Sequence, residues 1–148
     1  MRALQQTAGP TITFLGYQPD DVVREHYQRC RAFIFPSEED IGLTPIEAQA
    51  CGRPVIAFGR GGALETVIGG LPTSSFAPES STGVFFAEQS AESLADAIRF
   101  FESIETHFSP AFIRRNAERF DVSRFKSEMG AFINLKMLKF GTRQLEEE

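Results

Sequence analysis

At 148 residues, 42% hydrophobic and 24% charged, the chain has the make-up of one globular domain, not of a disordered segment. No apolar run is long enough to span a bilayer, and the amino terminus lacks the charged-then-apolar layout of a signal peptide. A net charge of −5 argues against general nucleic-acid binding.

In chain order, "TITFLG" (Thr11–Gly16) is β-branched and apolar and stops at glycine, so it predicts a strand. "PDDVVREHYQRC" predicts a helix, with Pro19 suited to the first position and Asp20 and Asp21 favouring the positive helix start. Val23, Tyr27 and Cys30 then form one stripe of it. "AFIFPS" is a continuous apolar run ended by proline, the pattern of a strand covered on both faces. "TPIEAQACG" predicts a short helix closed by Gly52, "PVIAF" a buried strand, and "GGALETVI" a short helix. "GLPTSSFAPESST" reads as a polar loop and "TGVFF" as a last short strand.

From Ser90 onward the pattern is helical. "SAESLADAIRFFES" opens on a serine cap and sets Leu94, Ile98 and Phe101 on one face. "SPAFIRRNAERF" has Ser109 as cap and Pro110 in the first turn, and "DVSRFKSEMGAFINLKMLKF" predicts a helix to about Phe140. Strands alternating with helices predict an α/β fold, a parallel sheet with flanking helices, right-handed crossovers and a helical carboxyl terminus. Four strands are few for a doubly wound domain. Residues 1–148 therefore read as a single, partial domain.

Charge is uneven along this domain. Residues 1–98 carry 6 basic and 12 acidic side chains, whereas 99–143 carry 9 basic and 5 acidic, and no lysine precedes Lys126. Cys30 and Cys51 form no CxxC, so they read as buried packing residues of a cytosolic protein. His26 and His107 have no metal-ligand spacing.

The segment after the "AFIF" strand, "SEEDIGLTP", falls where open parallel sheets bind ligands, at strand carboxyl ends leading into helix amino termini. Gly42 permits close backbone approach, and free N–H groups around Leu43 and Thr44 suit a phosphate. Carboxylates there suit hydroxyls, of which a nucleotide sugar has many. Rival readings stand beside this one. Thr44 to Glu47 also fits a capping box, Glu38 to Asp40 a solvated acidic turn, and Gly61–Gly62 a plain tight turn.

"PSEEDIGLTPIEAQACGRPVIAF" resembles the E-x7-E region of family 4, or group 1, retaining glycosyltransferases of the GT-B fold. The resemblance continues through "FLGY", "GGALETV", "TGVFF" and "ESLADAIRFFE", over roughly residues 11–130. Ile41 stands where that family usually has phenylalanine. The resemblance implies an incomplete carboxyl-terminal half of a GT-B fold, Rossmann-like and binding a nucleotide-sugar donor. By it, Glu47 accepts from ribose hydroxyls and Glu39, the catalytic candidate, holds hydroxyls of the donor sugar. Ile41, Gly42, Leu43 and Thr44 face the sugar and diphosphate, and Gly16 and Tyr17 lie beside the base.

The same resemblance implies transfer of a hexose, with mannose and a guanine nucleotide favoured by "GRGGALETV", from a GDP- or UDP-linked donor. No metal or other cofactor is expected. A saccharide or lipid-linked acceptor would be held by an amino-terminal half that this chain lacks. The family's Arg and Lys pair for the diphosphate is also missing ahead of "TITFLG". The alternative is a non-catalytic interaction module on the same fold. A third reading concerns the last helix, where Phe125, Met129, Phe132, Ile133, Leu135 and Leu138 neighbour Arg124, Lys126, Lys136, Lys139 and Arg143. It could pack on its own domain or the missing half, or lie on an anionic membrane from the cytoplasmic side, and apolar surface bared where the missing strands and half belong would promote self-association.

Overall fold

A computed structural model describes the backbone of residues 2–73 and 75–146 and the side chains of residues 4–73 and 75–138. The sheet has four parallel strands in the order β1-β2-β4-β3: β1 is Phe33–Phe35, β2 Val55–Phe58, β3 Gly69–Gly70 and β4 Gly83–Phe86. Its helices are α1 (Arg2–Thr7), α2 (Asp20–Arg29), α3 (Leu43–Ala50), α4 (Ala63–Thr66), α5 (Ala91–Ile104), α6 (Pro110–Ala117) and α7 (Val122–Glu146). The predicted α/β architecture with a helical carboxyl terminus is what forms.

The centre of the sheet follows from burial. Every residue of β2 and β4 is buried, because helices cover both faces of these two strands. Alternation sends Ile56, Phe58, Val84 and Phe86 to one face, against Ala97 and Phe101 of α5. Val55, Ala57 and Phe85 go to the other, with Phe35, Ala63 and Val67. Fully burying one such side chain stabilises the fold by roughly 1.5–3 kcal/mol. The predicted serine caps are present: Ser90 Oγ accepts from the Ser93 N–H at 3.1 Å and Ser109 Oγ from the Phe112 N–H at 3.3 Å. A buried polar network then ties helices together. Asn116 Nδ2 donates to Gln49 Oε1 at 2.7 Å and to the Thr66 carbonyl at 2.9 Å, while Gln49 Nε2 donates to the carbonyls of Pro45 and Thr66.

Several expectations are corrected. Thr11–Gly16 is not a strand; its residues favour one, but no described strand lies beside it to complete a ladder. The fourth strand is Gly69–Gly70 instead, paired to Gly83 and Val84. β1 is covered on one face only, since it is an edge strand and Ile34 is 42% exposed. Pro19 is the cap of α2, one position ahead of the helix. Cys30 and Cys51 are half-buried, at the carboxyl ends of α2 and α3.

The last helix runs to Glu146, six residues beyond the expected end. Of its apolar side chains, Phe125, Met129, Phe132, Ile133, Leu135 and Leu138 are all exposed. They also do not share one face. Phe125 and Leu138 point about 140° apart around an axis of ~3.6 residues per turn, so the clean two-faced helix that a membrane surface selects is absent from this stretch. The side chains of Lys139 and Arg143 lie outside the described residues.

Candidate functional site

Three loops leave the carboxyl ends of β1, β2 and β4, and side-chain and backbone bonds stitch them together. The Gly62 N–H, after β2, donates to the Glu39 carbonyl, after β1, at 2.7 Å. Gln89 Nε2, after β4, donates to the Pro36 carbonyl at 2.9 Å. Glycine is required for the first contact. A Cβ on Gly62 would collide with the backbone of Asp40 and Ile41, and one on Gly61 would stand 2.6 Å from the Glu39 oxygen. The "GRGG" turn is therefore more than a plain exit from a strand; it is the bed on which the acidic loop rests.

That loop feeds α3 through Gly42, whose φ of +69° places it in the left-handed region. The Phe35 ring lies directly beneath it, 2.7 Å from where a Cβ would be. Gly42 is the N-cap of α3, and no side chain caps this helix end. Its first N–H groups, at Leu43 and Thr44, are thus left to solvent or a ligand. Pro45 is the third residue of α3 and Glu47 the fifth, so the capping-box alternative for Thr44 and Glu47 is not what forms.

Glu47 instead turns toward α2. Its Oε2 accepts from the Tyr27 hydroxyl at 3.2 Å, and Oε1 has no partner among the described residues. The pair lines a cleft of about 340 Å³ with Asp20, Val23, Arg24, Ala50 and Cys51. Burial first, then the charge and hydrogen bond of Glu47, push the Tyr27 hydroxyl from 10.0 up to about 12. Burial likewise pushes the Cys30 thiol up, opposed by the Arg53 charge.

Val23 and Tyr27 also line a second hollow of about 470 Å³, which takes in Gly16, Phe33 and Ile34. The structure thus gathers Glu47 and Gly16 around Tyr27. It leaves Tyr17 out, since that ring is 95% exposed. Ile41 and Leu43 point a third way, into a groove of about 540 Å³ with Phe120, Val122 and Phe125. Glu39 is exposed on the stitched loop with its side chain unpaired among the described residues, and Thr44 is exposed at the start of α3. The predicted residues therefore form a rim around α3, not one closed pocket.

Tyr27 is the residue sequence reasoning passed over. Its place in the Val23–Cys30 stripe marked it as packing, yet a half-buried phenol needs a hydrogen-bond partner, and that need was the available signal. Among the described residues no group of three or more His, Cys, Asp or Glu side chains could hold a metal ion. No helix among them is long and apolar enough to cross a membrane.

Against known proteins, the family profile of glycosyl transferases group 1 matches residues 2–119. The chain is 35% identical over 88 residues to a D-inositol 3-phosphate glycosyltransferase of Mycobacteroides abscessus, covering 59% of this chain and 18% of that protein. It is 49% identical over 41 residues to an alpha-1,3/1,6-mannosyltransferase of Dictyostelium discoideum, covering 28% of this chain and 10% of the other. An O-antigen chain mannosyltransferase B of Escherichia coli is 44% identical over 46 residues, 30% of this chain and 12% of the relative. Among solved structures, a sucrose-phosphate synthase from Thermosynechococcus elongatus superposes with a TM-score of 0.75 at 27% identity, over 93% of this chain and 33% of that one. The chain spans less than a fifth of each of these curated relatives and a third of the solved structure.

Proposed function

The chain belongs to the glycosyl transferases group 1, and from that premise we propose that it is the donor-binding portion of a retaining glycosyltransferase. The ligand is a nucleotide sugar. Glu47 accepts from its ribose, Glu39 from hydroxyls of the sugar, and the uncapped start of α3 at Gly42, Leu43 and Thr44 faces the diphosphate. Ile41 borders the sugar, and Gly16 lies toward the base; Tyr17 joins it only by turning its exposed ring inward. The observation that carries this reading is the placement of Glu47. It does not cap its own helix, it lines a cleft, and one of its oxygens has no partner among the described residues.

Binding proceeds through hydrogen bonds and the helix start, without a metal or other cofactor. In transfer with retention, positioning and electrostatic stabilisation of the leaving diphosphate would carry the rate. The hexose is proposed as mannose on GDP, with UDP-linked donors as the rival, in line with the two mannosyltransferases among the relatives. The saccharide or lipid-linked acceptor is held by parts of the parent protein outside these residues, at the cytoplasmic side of the membrane.

Calorimetry with GDP, UDP and their sugar-linked forms tests the assignment. Glu47→Ala should weaken nucleoside diphosphate and donor alike, by about 1.5–3 kcal/mol. Glu39→Ala should spare the diphosphate and weaken only the sugar-bearing donor. A chain that binds none of these ligands would instead be the second reading, an interaction module on the same fold.

A further inference from the structure

Tyr27 belongs to α2, 20 positions away from Glu47, and its hydroxyl is the only described group bonded to that carboxylate. Its ring stands edge-on to Phe33 of β1, with centroids 5.4 Å apart and planes at 81°. The phenol is thereby held by the sheet as well as by its own helix. Glu47 by contrast is an exposed side chain on an open helix face. A free glutamate of this kind has several rotamers and loses conformational freedom when a ligand orders it. A carboxylate has two oxygens, each able to accept, so a donor on one leaves the other usable. Oε1 is that other oxygen, on a side chain that lines the cleft shared with Asp20, Arg24 and Cys51.

We propose that Tyr27 is a positioning residue for Glu47: by donating to Oε2 it holds the carboxylate so that Oε1 meets one hydroxyl of a bound ribose. The proposal rests on the reading of Glu47 as the ribose acceptor and adds what gives that acceptor its selectivity. A carboxylate free to swing can turn to water, or to Arg24 across the cleft, when a ligand hydroxyl is missing. One held in place is left unpaired by a deoxyribose, and the wrong sugar is penalised in full. Arg24 makes no ion pair among the described residues and is near enough to line the same cleft, so it is the partner Glu47 would take if the phenol were removed.

The test is calorimetry of the whole chain with GDP and UDP and with counterparts lacking one ribose hydroxyl, for Tyr27→Phe, Glu47→Gln and the double variant. Tyr27→Phe keeps the ring on Phe33, and urea unfolding of the same samples reports any structural loss separately. Expected is a loss of about tenfold in affinity for the ribonucleotide, equal to ~1.4 kcal/mol, with a ribose-to-deoxyribose ratio falling toward one. In the Glu47→Gln background the tyrosine change should add little. If Glu47→Gln collapses the ratio and Tyr27→Phe leaves it intact, the positioning role is wrong and the ribose reading survives. If neither changes the ratio, the ribose reading fails and takes the positioning role with it. A lowered unfolding midpoint with an unchanged ratio also overturns the proposal, because it assigns Tyr27 a packing role alone.

Discussion

Asn116 donates to Gln49 across 2.7 Å of buried interior, although 67 positions separate them in the chain. The bond joins α6 to α3, and both side chains also reach the Thr66 carbonyl at the end of α4. Three helices are thus registered to one another by two amides. Asn116→Ala should cost about 2–4 kcal/mol, since it leaves Gln49 Oε1 buried and unpaired. Adding Gln49→Ala should cost less than the sum of the single changes, because the pair acts as a unit. Chemical unfolding of the three variants measures this; additive losses would mean the two amides act independently.

Gly62→Ala should wedge the β2 loop away from the acidic loop. The backbone of Asp40 and Ile41 blocks the added methyl, and a crowded site of this kind costs roughly 1–3 kcal/mol. Amide hydrogen exchange of residues 38–42 should accelerate while that of β2 and β4 stays slow. Uniform acceleration throughout the domain would show global destabilisation in place of a loosened loop.

The Tyr27 hydroxyl gives a pH dependence with a definite sign. Its value in the folded chain, about 12, lies above the ordinary 10.0, so the folded state holds this proton more tightly. Its contribution to stability is complete below pH 10 and disappears as pH rises through 12. Ultraviolet absorbance of phenolate in a Tyr17→Phe variant, which leaves Tyr27 as the sole tyrosine, should therefore rise near pH 12 while the chain stays folded. Titration at the ordinary value would show that burial and Glu47 do not act on it.

Exposed Phe125, Phe132 and Leu135 on α7 should make the isolated chain self-associate. Replacing all three with serine should shift sedimentation toward monomer and alter unfolding stability by only about 0.5 kcal/mol per site. A stability loss typical of core truncation would reveal packing that the exposed positions of these side chains do not show.

What could be read from the sequence divides along physical lines. β2 and β4 were legible because "PVIAF" and "TGVFF" carry their own evidence: continuous apolar residues have nowhere to go but a covered strand. Thr11–Gly16 carried equal propensity and failed, since a ladder also needs a neighbour and propensity cannot report one. Gly69–Gly70 was invisible for the opposite reason. Two glycines have no strand preference, and they pair where Gly83 leaves room: a Cβ on Gly69 would stand 2.5 Å from the Gly83 oxygen. At the proposed site, the spacing of Glu39 and Glu47 pointed to α3, and the choice between cap and open acceptor waited on where α3 begins. The two-residue difference between Gly42 and Thr44 as the cap of α3 was beyond pattern reading.

The stitching of the rim has a practical corollary for anyone altering this chain. Residues 36–42 are anchored at Pro36 by Gln89 and at Glu39 by Gly62, and they end on a left-handed glycine seated over Phe35. With both ends and the middle tied, the segment has no slack, so a peptide tag inserted there must tear out an anchor. Among the described residues from Leu71 to Ala77 all but Phe76 are exposed, and the hydrogen bonds of Thr73 to Ala77 stay within residues 73–81. A reporter tag grafted between Pro72 and Thr73 should leave the carboxyl ends of the sheet undisturbed.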